Sequence, residues 1–169
     1  MTNSKTKKLT LCALLTALAL GLSYVERFLP LQLLIPLPGI KLGLANVVTL
    51  VTLSLLGKSY AFGVLVARCL LGAIFGGLTG LAFSLSGGVL ALTVMCIAAK
   101  CKALSVYGIS VLGAATHNIG QILMAMALMG SFYVAAYLPW LLLISVVTGL
   151  LTGRLVAGVL RQMPEEARV

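Results

Sequence analysis

Three polar side chains that could bind a ligand lie within one apolar segment, "SVYGISVLGAATHNIGQILMAMALMG". His117 and Gln121 are four residues apart, so a helix places them on one face, and Asn118 lies beside Gln121. Imidazole and amide groups are costly in hydrocarbon and normally face a bundle interior or a cavity. The pattern predicts a polar binding cavity. The alternative is hydrogen bonding between helices with no ligand.

Arg68 lies in the middle of a second apolar segment, "FGVLVARCLLGAIFGG". An arginine at that depth needs an acceptor, yet the chain has no aspartate and only three glutamates, Glu26, Glu165 and Glu166. Arg68 therefore pairs with Glu26, donates to backbone carbonyls or snorkels, or binds an anionic ligand.

The stretch "LPGIKLGLANVVTL" places two further polar residues where an apolar run begins. Pro38 and Gly39 favour a tight turn, and the helix that follows presents its positive end to an anion. Lys41 adds a full charge there, and Asn46 lies one turn into the helix. The stretch predicts a rim over an outward-facing pocket; a plain helix entry with an interfacial lysine is the alternative.

Aromatic and small residues mark two other surfaces. Tyr137 and Trp140, in "SFYVAAYLPW", form either an interfacial aromatic belt or the wall of a site for a flat or apolar ligand. Ala13, Ala17 and Gly21 recur every four residues, and such small-residue stripes let another helix approach closely. That stripe predicts either internal packing or a docking face for a partner protein.

The composition indicates that helices in lipid position these residues. Of the 169 residues, 61% are hydrophobic and 9% are charged, whereas a soluble domain has roughly 25% charged residues. We expect an all-α integral membrane protein with one transmembrane domain, residues 1–169, of six helices and an outer gating loop at 27–41. The predicted helices are about 8–26, 42–57, 59–76, 79–99, 104–129 and 132–160.

The charged residues predict an orientation. Basic residues precede the first helix, follow the last and occupy alternate connections, which is the positive-inside pattern. We therefore expect a multi-pass protein of the plasma membrane with both termini in the cytoplasm. The same pattern accounts for the net charge of +9 without nucleic acid.

Catalysis by this chain alone is not expected. The chain has no phosphate-binding G-x-x-x-x-G-K-[ST] loop, so ATP hydrolysis would need partner proteins. Its cysteines show no C-x-x-C spacing, and its few carboxylates exclude a Mg²⁺ site for diphosphate chemistry. We predict no catalytic residue, no metal and no cofactor.

The motifs "PGIKLGLAN" at 38–46 and "THNIGQ" at 116–121, with the Ala13-xxx-Ala17 stripe, resemble the Gx transporter family. That family is also described as heptaprenyl diphosphate synthase component I, and it is similar to the substrate-binding S components of energy-coupling factor (ECF) importers. The resemblance covers essentially the whole chain.

The resemblance implies a six-helix bundle that takes a small, vitamin-like molecule from outside. The cationic side chains of Lys41 and Arg68 favour an anionic or phosphate-bearing compound, and the aromatic residues allow a ring or a prenyl group. Its pocket would be formed by the last three helices, with His117, Asn118, Gln121, Tyr137 and Trp140, and capped by the 27–41 loop. The alanine stripe would dock on a transmembrane T component driven by two cytoplasmic ATPases. Two other roles stay open: a non-catalytic membrane component of heptaprenyl diphosphate synthase, or a subunit of a quinone-linked or redox membrane complex.

Overall fold

The computed structural model describes residues 4–28, 41, 43–101 and 103–163. Over these residues the chain is helical and contains no strand, so the all-α prediction is confirmed. Short 3₁₀ helices, Glu26–Phe28 and Phe132–Tyr137, lie between the α-helices. The α-helices are α1 Ser4–Val25, α2 Asn46–Leu56, α3 Lys58–Ala98, α4 Val106–Met129 and α5 Leu138–Gln162.

The predicted count of six α-helices is not confirmed, since the described residues form five. Predicted helices 59–76 and 79–99 are the two arms of α3, whose backbone leaves helical geometry at Gly77 (φ 64°, ψ −173°). The arms pack on each other, because a side chain at Gly88 would meet Leu65 and Arg68. Glycine suits the break, since its positive φ is strained for other residues.

Four helical segments of the described chain are long and apolar enough to cross a membrane: Lys5–Val25, Lys58–Ala98, Val106–Met129 and Phe132–Gln162. A span needs about 20 residues, so each arm of α3 has the length of one crossing. Large apolar side chains such as Leu78 and Ile74 are exposed on the bundle, as expected for surfaces in contact with lipid. The chain is a multi-pass membrane protein.

Helix α2 is too short to span and forms the centre of the bundle. Its 11 residues begin at Asn46, and the first eight are buried. It contacts α1, α3, α4 and α5. The Thr52 hydroxyl donates to the Val48 carbonyl at 2.7 Å, so this buried polar group is satisfied within the helix.

Basic residues gather at one end of the bundle. Lys8 lies over the ring of Tyr60 at 5.9 Å, while Lys58 and Lys100 line one surface depression. Glu26 and Lys41 occupy the opposite end, where α1 finishes and α2 is about to begin. That the basic end faces the cytoplasm stays a prediction from the charge pattern.

We predict that Gly120→Ala destabilises the bundle by about 1–3 kcal/mol, the usual cost of overpacking. A Cβ at Gly120 would lie 2.8 Å from the Cα of Gly87 and from the Ser86 carbonyl oxygen. Both are backbone atoms, so α3 and α4 would have to separate. Thermal unfolding in detergent, followed by circular dichroism, measures the effect.

Gly63→Ala is the matched control, because a Cβ there meets nothing within 4 Å. It should stabilise slightly through helix propensity. Equal melting temperatures for the two variants would show that the crossing of α3 and α4 tolerates the extra methyl group.

Candidate functional site

Lys41 connects the polar residues at this end of the bundle. Its backbone N–H donates to Gln121 Oε1 at 3.2 Å, and its Nζ donates to the Ser84 hydroxyl at 2.9 Å. Lys41, which precedes α2 in the chain, is therefore hydrogen-bonded to both α3 and α4. This fixes a positive charge at a defined depth.

His117 and Gln121 lie on one face of α4, as their spacing predicts, and contact each other. The Gln121 amide nitrogen lies 3.2 Å from His117 Nε2. An amide nitrogen only donates, so Nε2 accepts and a neutral imidazole carries its proton on Nδ1. Nδ1 lies against Gly87 without a well-aligned hydrogen bond.

Close packing surrounds this histidine. A Cβ at Gly43 would meet the His117 ring at 2.9 Å and Asn46 at 2.8 Å, and a Cβ at Gly87 would meet His117 Nδ1 at 2.8 Å. Gly43 also has a positive φ of 79°. The imidazole thus packs directly against two glycines, Gly43 before α2 and Gly87 in α3.

The two asparagines are buried and differ in their partners. Asn118 Nδ2 donates to the Leu141 carbonyl at 3.1 Å, which ties α4 to the first turn of α5. Its Oδ1 has no hydrogen-bond partner, and neither side-chain polar atom of Asn46 has one. Buried polar atoms are normally hydrogen-bonded. These three atoms therefore have unused capacity to bind a ligand, or another group of the protein after a conformational change.

Arg68 is 6% exposed, and its Nε and Nη2 atoms have no hydrogen-bond partner among the described residues. It makes no ion pair with Glu26, although the two groups are close enough to influence each other electrostatically. Of the three possibilities from the sequence, pairing with Glu26 is not observed. A buried, unpaired guanidinium is costly, so the side chain has unused capacity to bind an anion.

Glu26 holds the turn before α2 instead. Its carboxylate accepts the Gly43 N–H. Burial raises the pKa of Glu26, while the backbone N–H groups of Gly43 and Leu44 and the charges of Lys41 and Arg68 lower it by less. Burial therefore makes the Glu26 carboxyl group easier to protonate than a solvent-exposed glutamate, with Lys41 and Arg68 as its charged neighbours.

A cavity of about 390 Å³ opens between α1 and α3 beside these charges. Such a volume is within the usual range for small-molecule sites, roughly 300–1,000 Å³. Lys41, Arg68 and Ser84 form its polar part. The remaining lining residues are mostly apolar: Leu20, Gly21, Ser23, Tyr24, Cys69, Gly72 and Phe75.

The cavity brings together only some of the predicted binding residues. Lys41 and Arg68 line it, whereas the buried His117, Asn118 and Gln121 contact one another, Lys41 and backbone groups. Tyr137 packs against an apolar cluster between α4 and α5, and Trp140 is 65% exposed. Pro38, Gly39 and most of the predicted gating loop lie outside the described residues.

Sequence reasoning missed the α1–α3 walls of this cavity. Arg68, Gly72 and Phe75 follow the i, i+4, i+7 spacing of one helix face, a signal that was available. Ser84 gave no such signal, because it contacts Lys41 only as a result of the break in α3 at Gly77. The predicted stripe residues Ala13, Ala17 and Gly21 are exposed on α1, and Gly21 also lines the cavity.

Comparison with known proteins gives one match. A family model described as heptaprenyl diphosphate synthase component I matches residues 15–159. No curated protein and no solved structure matches the chain. The family description denotes one component of a larger assembly, which is consistent with partner subunits.

We predict that Glu26→Gln gains stability relative to the natural protein as pH rises. The raised pKa means that the folded state favours the protonated acid, so ionisation lowers stability as pH increases from the ordinary value of 4.5 through the folded value. Glutamine keeps an oxygen acceptor for Gly43 and does not ionise. Chemical denaturation in detergent at several pH values measures the difference.

Glu26→Ala is the control for the hydrogen bond itself. It should be less stable than Glu26→Gln at every pH, by about 1 kcal/mol or more, because the buried Gly43 N–H loses its acceptor. Parallel pH profiles for the natural protein and Glu26→Gln would contradict the shifted pKa.

Proposed function

The chain belongs to the heptaprenyl diphosphate synthase component I family, and we propose that it is the ligand-capturing membrane subunit of an ECF-type importer. It takes up a small anionic molecule from the outer side. A transmembrane T component and two cytoplasmic ATPases drive the transport. The chain itself is not an enzyme.

The unpaired guanidinium of Arg68 is the observation that supports capture of an anion. It lies beside an open cavity that Lys41 also lines. Charge-assisted hydrogen bonds to a carboxylate or phosphate are stronger than neutral ones. An incoming anion would supply the acceptors that Arg68 lacks.

The contacts of Lys41 suggest how ligand binding in the cavity is coupled to α3 and α4. Nζ of Lys41 has three protons and can bind an anion while it still donates to Ser84. The backbone of the same residue is held by Gln121, which contacts His117. A ligand on Lys41 would therefore stabilise the end of the predicted gating loop against α3 and α4.

The exposed small residues of α1 support a separate docking surface. Ala13 and Ala17 point away from the bundle, so another membrane helix can approach the α1 backbone closely. Because the sequence has no phosphate-binding loop, the energy for transport has to come from proteins that dock on such a surface.

A second candidate is supported by the family description. The chain would then be the membrane component of a prenyl diphosphate synthase, and a separate subunit would hold the Mg²⁺ and the catalytic carboxylates. Synthase activity that requires this chain, measured with and without it, would favour that role over transport.

We predict that capture and docking respond to different substitutions. Lys41→Ala and Arg68→Met should reduce the small molecule retained by the purified protein about tenfold or more, because a hydrogen bond to a charged group is worth about 1.5–3 kcal/mol. Mass spectrometry of metabolites extracted from the purified protein measures this loss.

Ala13→Leu should leave the retained molecule unchanged and abolish co-purification of the T component and ATPases, which protein mass spectrometry identifies. Leu14→Ala is the control for a change on the same helix outside the small-residue stripe. If the capture variants and Ala13→Leu produced the same defect, capture and docking would not be separate surfaces.

A further inference from the structure

The cavity between α1 and α3 is lined by both charged and apolar residues. Arg68, Lys41 and Ser84 form the charged part. The apolar part includes Leu20 on α1 and Phe75 on α3. A ligand that satisfies both parts needs an anionic group at one end and an apolar body at the other.

The apolar part opens towards the surface of the bundle that contacts lipid. Tyr24 and Phe75 are 51% and 64% exposed, and their rings pack edge to face with centroids 6.1 Å apart. Tyr24 packs in the same way on Phe28. These rings form an aromatic edge at the end of the bundle opposite Lys8, Lys58 and Lys100.

Two glycines leave a gap in the wall of the cavity. A Cβ at Gly21 of α1 would meet nothing within 4 Å, and a Cβ at Gly72 of α3 would meet only Leu20, at 3.8 Å. Gly21 and Gly72 both line the cavity, so no side chain from either position narrows it; we call this pair of positions the Gly21–Gly72 slot.

Resting on the proposed capture function, we propose that the cavity binds an amphiphilic anion. Its phosphate or carboxylate head contacts Arg68 and Lys41, and its apolar chain or ring passes through the Gly21–Gly72 slot into the adjoining half of the bilayer. A fully hydrophilic anion would make no apolar contact with the walls of the cavity or with the exposed rings of Tyr24 and Phe75. An uncharged apolar molecule would leave Arg68 without an acceptor.

The test uses the purified full chain in nanodiscs of neutral phosphatidylcholine, with decyl phosphate as the probe. Native mass spectrometry and thermal stabilisation report binding. Decyl phosphate should bind at least tenfold more tightly than either inorganic phosphate or decanol, because only it has both parts. Equal affinity for inorganic phosphate, or for decanol, would overturn the proposal.

Two variants locate the ligand. Arg68→Met should weaken decyl phosphate binding at least tenfold without loss of thermal stability, because Nε and Nη2, which it removes, have no acceptor in the part of the chain that the structure describes. Gly72→Leu should fill the slot and weaken decyl phosphate at least tenfold while binding of inorganic phosphate stays unchanged. Gly63→Leu, on the same arm of α3 with open space around its Cβ, is the matched control.

Gly21→Leu repeats the slot test from the other helix, in case Gly72→Leu fails to fold. Decyl phosphate binding that survives both slot variants would overturn the passage between α1 and α3. The headgroup chemistry can belong to a bilayer lipid or to a separate amphiphile, and competition by phosphatidic acid in the nanodisc distinguishes these two sources.

Binding and transport can fail separately. A chain that binds decyl phosphate yet never recruits a T component or ATPases would overturn the proposed importer and leave this ligand class intact. A chain that recruits them but shows no preference for decyl phosphate over inorganic phosphate would do the opposite.

Discussion

A positive charge buried in a bundle with almost no carboxylates is the constraint on which this end of the molecule depends. Arg68 lies deep in α3, and Glu26, the acidic residue at the same end of the bundle, is engaged by the backbone before α2. No carboxylate in the described ranges therefore forms an ion pair with the guanidinium. Burying a charge without a partner is costly. An anion in the cavity beside Arg68 would therefore interact favourably with the buried guanidinium.

The hydrogen-bonded polar residues of α4 hold Lys41 in place. The Lys41 N–H, the Gln121 amide and the His117 imidazole form a chain that runs from the start of α2 into α4. Gly43 and Gly87 pack directly on the imidazole. This chain holds the Lys41 backbone, and Ser84 accepts from its ammonium group, so Lys41 lines the cavity together with Arg68. These α4 residues thus act on the cavity through Lys41.

A division of surfaces along α1 and α3 follows from the same arrangement. One edge of α1 borders the cavity through Leu20 and Tyr24, and its exposed edge carries Ala13 and Ala17. The proposed capture role would need both, since it requires a ligand site and a surface for the proteins that supply energy. Gly21 belongs to both edges, so a ligand in the slot and a helix docked on α1 would be close neighbours.

The sequence by itself determined the class of protein and the approximate location of its apolar helices, although it divided the two arms of α3 into separate helices. Apolar content, the spacing of polar residues on α4 and the breaks at glycine and charged residues are local properties, and they predicted an all-helical membrane protein in which His117 and Gln121 share a face. Only the tertiary structure decided what those faces meet. The hydrogen bond between Lys41 and Gln121 joins residues 80 positions apart. The break at Gly77 reverses the direction of α3, so that Ser84 lies within hydrogen-bond distance of Lys41. Such contacts depend on how whole helices pack, and packing depends on the shapes of several segments at once. For this reason the cavity between α1 and α3 could not be read from any one of them.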